Sequence, residues 1–293
     1  MSFLSADDPA LLQLRELLSV PRNCVIVTHY NPDGDALGSS FGLLGALRAL
    51  GHAAQVVLPN TAPSNLHWMP GYSTVLAADV ESDRAKGVIS NAEVLFCLDF
   101  NRPDRVGGLE ESLRCSPFKV LIDHHQRPDG FARIAFSDTD SCSTCQMVFD
   151  ILVALKAEEH IDRDMATCLY TGIMTDSGSF RYSSTTPHTM RVAAALMEKG
   201  AVPDQVFSAV MDDNSEHRLK LLGFTLAERM KVHPELATSV ITLGQKDLER
   251  FHFKPGDTEG FVNYGLSIRG IRLAAFFVER SDRVKISLRS KGK

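Results

Sequence analysis

The chain has no apolar run of the roughly 18 residues that would span a bilayer, so no membrane-crossing helix is expected. It has no excess of positive charge either: 31 Lys and Arg stand against 36 Asp and Glu, a formal net charge of −5. That balance argues against long duplex DNA as a ligand, whereas a small anionic ligand would need only a few placed cations. Cysteine is sparse and scattered, with Cys24, Cys97, Cys115, Cys142, Cys145 and Cys168 in 293 residues. Asp7 and Asp8 stand where a secretory leader would need a basic region and an apolar run. The expected compartment is a reducing cytoplasm, with free thiols. Internal repeats and low-complexity tracts are absent, and the sole tryptophan, Trp68, lies in a proline-rich loop at 59–72.

What is present is a soluble globular composition, 44% hydrophobic and 23% charged, in a chain long enough for two domains. Strands are expected at 23–29, 55–58, 93–100 and 119–123, alternating with helices at 11–18, 36–50, 141–155, 162–176 and 187–200. That alternation indicates parallel βαβ units with helices on both faces of a sheet, an α/β fold. Near residue 200 the character changes, and helices at 202–211 and 216–230 read as a connector. Beyond it come a strand at 237–243, helices at 245–251 and 260–266, and strands at 271–279 and 283–289 joined by the turn Arg280-Ser281-Asp282. The expected organisation is a first domain at 1–195, a helical linker at 196–235 and a smaller α/β domain at 236–293.

Residues 24–38 organise the chain. The β-branched run Val25-Ile26-Val27-Thr28 delivers His29 to the end of a buried strand, and the following turn carries Asp33 and Asp35 into a helix. Other apolar strands end on Asp99 and on Asp123-His124-His125, and Asp176 follows an apolar helix. In a parallel sheet these strand ends share one edge, where open α/β sheets hold their ligands. Taken singly, each residue has an ordinary explanation. Asn31-Pro32-Asp33-Gly34 is good turn chemistry, Asp99 would cap a helix, and a His-His pair is commonly structural. Four segments converging with carboxylates and imidazoles suit a pair of divalent ions instead. A bridging carboxylate holds two cations about 3.5–4 Å apart, in reach of one activated water. Imidazole and carboxylate without thiolate favour Mn2+, with Mg2+, Co2+ or Fe2+ also admissible.

The run from His29 to Ser39, then Asp99, then Asp123-His124-His125, then Asp176 resemble the four ordered motifs of the DHH phosphoesterase superfamily. Residues 270–291, which include Val284-Lys285-Ile286-Ser287-Leu288-Arg289-Ser290, resemble the first part of its DHHA1 substrate domain. The likeness is strongest to short bacterial two-domain members. These include nanoRNases that also remove the 3′-phosphate of phosphoadenosine phosphate, and phosphodiesterases acting on cyclic di-AMP or its linear product.

The resemblance implies a parallel-sheet DHH domain, a smaller α/β DHHA1 domain and an active site in the cleft between them. It implies that His29, Asp33 and Asp99 hold one metal, and that Asp35, Asp99, His124 and Asp176 hold a second, with Asp99 as the bridge. The catalytic roles fall on His125, facing the phosphate as hydrogen-bond or proton donor, and on Asp123, orienting a neighbouring imidazole. Arg289 and Ser290, with Lys291 beside them, would bind phosphate from the second domain. The implied activity is manganese-dependent hydrolysis of short oligoribonucleotides, dinucleotides and phosphoadenosine phosphate. Hydrolysis of cyclic di-AMP or pApA, hydrolysis of pyrophosphate, and metal-free nucleotide sensing are the alternatives. Family members often dimerise, and a homodimer is allowed here although no exposed stripe requires it. DHHA1 domains of this type usually continue into a Gly-Gly-Gly-His segment, and the sequence reaches Lys293 without it: either the second domain is truncated, or its terminal hairpin lacks partners and the nucleotide pocket is incomplete.

Three lesser features complete the reading. Arg181 either faces the cleft or joins a surface ion pair. Cys142 and Cys145 have metal-pair spacing without a second pair, which reads as helix core. Ser141, Ser143 and Thr144 offer an alternative phosphate site at a helix N-terminus.

Overall fold

The β-branched run before His29 forms strand β1 (Asn23–Thr28), near the middle of a six-stranded sheet. A computed structural model describes residues 4–5, 7–212, 214–254, 256–280 and 283–292. The chain divides into two units, Met1–Asp212 and Asp213–Lys293. In the first, α1 (Pro9–Leu17), β1, α2 (Gly34–Ala49), β2 (Ala53–Leu58), β3 (Leu76–Ala77) and α3 (Ser82–Ser90) follow one another. Then come β4 (Val94–Leu98), α4 (Glu110–Cys115), β5 (Lys119–Asp123) and β6 (Ile134–Ser137). Helices α5 (Thr144–Ala154), α6 (Arg163–Asp176), α7 (Pro187–Glu198) and α8 (Pro203–Met211) close the unit.

All strand pairings in this sheet are parallel, in the order β3-β2-β1-β4-β5-β6. The order reverses between β1 and β4, so a crevice opens beyond their carboxyl ends. Both faces of the sheet are covered. Ile26, Phe96, Leu98 and Ile122 pack with α2, α5 and α6, and Val25, Val27, Leu95 and Cys97 pack on the other side with Ala85 and Ile89 of α3. Burial on both faces is why these strands read as continuous apolar runs. The strands β3 and β6 escaped the sequence reading because one has two residues and the other alternates buried with exposed positions at the sheet edge.

Helix α2 presents glycines to α6. A Cβ on Gly38 would stand 2.4 Å from the Cys168 carbonyl oxygen, one on Gly42 2.5 Å from Leu169, and one on Gly45 2.5 Å from Met165. At Gly38 the neighbour is backbone and only hydrogen fits, whereas at Gly42 and Gly45 a side chain of α6 would have to shift. This close approach brings the first turn of α2 against α6, with Asp35 beside Gly172.

The second unit contains α9 (Glu216–Phe224), β7 (Met230–His233), β8 (Thr238–Leu243), α10 (Gln245–Arg250), α11 (Phe261–Ser267), β9 (Leu273–Glu279) and β10 (Val284–Ser290). Its sheet runs β10-β9-β8-β7, with β8 and β9 parallel and the outer pairs antiparallel. The helix expected at 216–230 stops at Phe224, and one wider turn, Thr225–Arg229, leads into β7. Pairing of Met230 with Ile241, and an Arg229–Asp247 ion pair at 2.8 Å, override the local helical composition. Of the helical linker expected at 196–235, Leu196, Ala201 and Val206 are buried in the first core and Leu221 of α9 in the second. Ser281 and Asp282 of the expected hairpin turn, and Lys293, lie outside the described residues. Among the described residues, no helix is long and apolar enough to cross a membrane.

Candidate metal centre

Strand pairing sets the site. Thr28 of β1 is in register with Leu98 of β4, and Leu98 with Ile122 of β5. His29, Asp99 and Asp123 therefore emerge side by side at the crevice. Asp99 accepts a left-handed backbone, φ +65°, which Asp tolerates better than most residues, after its amide has bonded the Ile122 carbonyl at 3.0 Å.

Each imidazole is aimed by its Nδ1. His29 Nδ1 lies 3.0 Å from the Tyr30 carbonyl and His124 Nδ1 lies 3.3 Å from the Ser141 carbonyl. A carbonyl only accepts, so Nδ1 carries the proton and Nε2 is left as the ligand atom, the usual outer support of a metal-binding histidine. His29 Nε2 faces Asp99 Oδ2 at 3.4 Å and Asp33 Oδ1 at 3.9 Å. His124 Nε2 faces Asp176 Oδ2 at 3.2 Å, Asp99 Oδ1 at 3.5 Å and Asp35 Oδ2 at 3.8 Å. The two oxygens of Asp99 thus point to different histidines. His125 is turned away by a 2.7 Å bond from its Nδ1 to Asp123, though that nitrogen is also 3.8 Å from Asp99 Oδ1.

Asp33 does two things. Its Oδ1 caps α2 by accepting the amides of Asp35 and Ala36 at 3.1 Å, and the same oxygen is the one near His29, so a turn role does not compete with a ligand role. Asp35 is buried and accepts the Thr144 amide at 2.6 Å and the Cys145 amide at 2.9 Å. Those are the first amides of α5, whose N-cap is Ser143 rather than Ser141. The alternative phosphate site at this helix N-terminus is taken by the protein's own carboxylate, which accepts the first amides with the favourable sign of charge for the helix dipole. Thr144 Oγ1 also donates to Asp99 Oδ1 at 2.8 Å. Sequence reasoning singled out this stretch but did not find its partner, which lies 109 residues away.

The electrostatics leave the cluster short of positive charge. Burial raises the Asp35 carboxyl from 3.8 to about 6, with the Asp176 charge adding to it. Burial, and then Asp35, push Asp99 well above its ordinary value. For His124, burial pulls downward, but the Asp176 hydrogen bond and the charges of Asp35 and Asp99 outweigh it and raise the imidazole to about 10. Such a set holds protons where it would hold cations. Ligand atoms of His29, Asp33 and Asp99, of Asp35, His124 and Asp176, and of Asp99, His124 and His125 each fall within 4.8 Å of one another. The donors fit a pair of divalent ions in charge and type.

Arg181 donates Nε to the Gly178 carbonyl at 2.9 Å and lies over the Tyr182 ring, neither of which is the surface ion pair considered above. Arg289 and Ser290 end β10 in the second unit, where Arg289 is exposed and bonds the Leu288 carbonyl at 2.9 Å. The Lys291 amide bonds the Arg272 carbonyl at 2.9 Å. Cys142 and Cys145 are buried in the helical core.

Residues 23–173 match the model of the DHH family, N-terminal domain. A protein of Thermus thermophilus described as bifunctional oligoribonuclease and PAP phosphatase NrnA is 32% identical, over 91% of this chain and 76% of its own length. The Bacillus subtilis protein of the same description is 26% identical, over 96% of this chain and 85% of its own. Among solved structures, an exopolyphosphatase-related protein from Bacteroides fragilis matches with a TM-score of 0.94 at 36% identity, covering 97% of this chain and 84% of that one.

Proposed function

This chain belongs to the DHH family, and from that premise we propose that it hydrolyses short oligoribonucleotides and dinucleotides and dephosphorylates 3′-phosphoadenosine 5′-phosphate. It is a metal-dependent phosphoesterase. The observation that carries the substrate reading is similarity to two NrnA proteins over more than nine-tenths of the chain, 91% and 96%. The shared carboxylate of Asp99, with one oxygen toward each of two histidines, supports a two-ion centre.

His29, Asp33 and Asp99 would hold one ion and Asp35, Asp99, His124 and Asp176 the other, with Mn2+ the ion this donor set favours. When bound, two such ions neutralise the phosphate and lower the pKa of water. The chain supplies the rest. Asp123 fixes the His125 ring through Nδ1 at 2.7 Å, which leaves Nε2 as the atom that faces substrate. From there it hands a proton to the departing oxygen, a general-acid role. Asp33, anchored to the start of α2, holds its ligand oxygens on a rigid element rather than a loose turn. Arg289, with Ser290 and Lys291, is the proposed phosphate contact from the second unit, since a guanidinium pairs two phosphate oxygens at once.

The test is a substrate panel with Mn2+: a short oligoribonucleotide, pApA, phosphoadenosine phosphate, cyclic di-AMP and pyrophosphate. The reading expects release of mononucleotide from the oligoribonucleotide and pApA, and of inorganic phosphate from phosphoadenosine phosphate. Cleavage of pyrophosphate or cyclic di-AMP alone would overturn it.

A further inference from the structure

Thr144 hydrogen-bonds both Asp35 and Asp99. Its amide donates to Asp35 Oδ2 at 2.6 Å and its hydroxyl donates to Asp99 Oδ1 at 2.8 Å. It is fully buried, as are Asp35 and very nearly Asp99. The neighbouring Cys145 amide holds the other oxygen of Asp35 at 2.9 Å, so Asp35 is gripped at both oxygens. Asp99 has no such double grip. Its hydrogen-bonding partner at Oδ1 is the Thr144 hydroxyl, while Oδ2 is left toward His29.

We propose that Thr144 is a positioning residue, one that locks the plane of the Asp99 carboxylate so that its two oxygens address two ions. This rests on the two-ion reading given above. The χ2 torsion of an aspartate is soft and roughly two-fold. A carboxylate without a partner would therefore sample orientations in which both oxygens turn toward one histidine. The hydroxyl removes that freedom. Thr144 is free to do so because it is the first residue of α5, where no carbonyl one turn earlier in the helix competes for its hydroxyl. The same residue gives Asp35 an amide, so rotation at Asp99 and placement of Asp35 depend on one rigid helix end. Outer-sphere partners of this kind are worth about 10–100-fold in metal affinity.

The experiment compares Thr144→Val, which keeps the shape without the hydroxyl, with Thr144→Ser, which keeps the hydroxyl without the methyl. Manganese binding is measured by titration calorimetry, and the exchange-coupled two-manganese signal by electron paramagnetic resonance. Wild type should bind two equivalents and show the coupled signal. Thr144→Val should bind its second equivalent about 10–100-fold more weakly and lose the coupled signal, and Thr144→Ser should restore both. If Thr144→Val does not fold, Thr144→Ala takes its place in the same comparison. Wild-type affinity and an intact coupled signal in the variant without the hydroxyl would overturn the proposal, as would equal impairment of the serine variant. A wild type that binds no second manganese would instead overturn the two-ion reading itself.

Discussion

His125 Nδ1 lies 2.7 Å from Asp123 Oδ1, with Asp123 wholly buried and the histidine side chain 41% exposed. A buried acceptor behind an accessible imidazole fixes which ring nitrogen meets the substrate. Replacing His125 by Ala should lower kcat by about 100- to 10,000-fold while two manganese ions per chain remain bound. Replacing Asp123 by Asn should cost about 10–100-fold, again with metal retained. Metal analysis of the purified variants beside steady-state kinetics checks both. Loss of manganese from the His125 variant would make that residue a ligand, which its 3.8 Å approach to Asp99 makes worth measuring.

Asp99 stands between the two histidine–carboxylate groups, so its charge matters to both. Asp99→Asn should reduce bound manganese below two per chain and lower turnover by at least about 1000-fold, the scale of several kcal/mol of lost charge stabilisation. The metal-free variant should melt at a higher temperature than metal-free wild type. Burial and the neighbouring carboxylates penalise the charged form of Asp99, and the amide removes that penalty. Calorimetry of the two apo proteins decides the second point independently of activity.

The candidate ligands were legible because their chemistry is rare at strand ends. A carboxylate or imidazole closing an apolar run, as at His29, Asp99 and Asp123, stands out against its neighbours. The parallel sheet was legible for the same reason, in the doubly buried runs of β1, β4 and β5. What stayed hidden depends on distant pairing. Strand β7 follows a helical stretch with no break in composition, and it is β8 that makes it a strand. The bond from Thr144 to Asp35 joins residues 109 apart, with no local pattern to announce it. The glycines of α2 were hidden too, since an absent side chain adds nothing to an apolar periodicity.

Those glycines give a stability prediction with an internal control. A methyl on Gly38 would meet backbone, the Cys168 carbonyl oxygen at 2.4 Å, so α2 and α6 would have to separate. Gly38→Ala should destabilise the first unit by about 1–3 kcal/mol. A methyl on Gly87, within α3, would meet nothing inside 4 Å, and the backbone there is helical. Gly87→Ala should therefore stabilise by about 0.5–1 kcal/mol. Urea unfolding with unchanged m-values reads both directions.

Arg289 is exposed at the end of β10 and has no ion-pair partner among the described residues. As a phosphate contact it should be dispensable for metal binding and for folding. Arg289→Ala should lower kcat/KM for pApA by about 10–100-fold, with manganese content and melting temperature unchanged. Unchanged kinetics with every substrate of the panel would remove Arg289 from the substrate site.

The charge deficit of the metal centre predicts opposite pH slopes for the apo and manganese-bound protein. The folded pKa of Asp35 is raised from 3.8 to about 6, so the native state binds that proton more tightly than the unfolded chain. The stability this confers is present below pH 3.8 and is lost as pH rises through about 6. His124 is raised from 6.5 to about 10, so its contribution is present below pH 6.5 and is lost as pH rises through about 10. Both slopes have the same sign, and the apo protein should lose stability across pH 4–10 from these groups. Manganese requires the same atoms without their protons. Its stabilising effect should therefore grow with pH, and binding near pH 7.5 should release at least one proton, held between His124 and the raised carboxyl of Asp99. Calorimetric titration in buffers of different ionisation enthalpy counts that proton directly. A release of zero would mean that His124 is already neutral in the apo protein and that the Asp176 contact at 3.2 Å is not an ion pair.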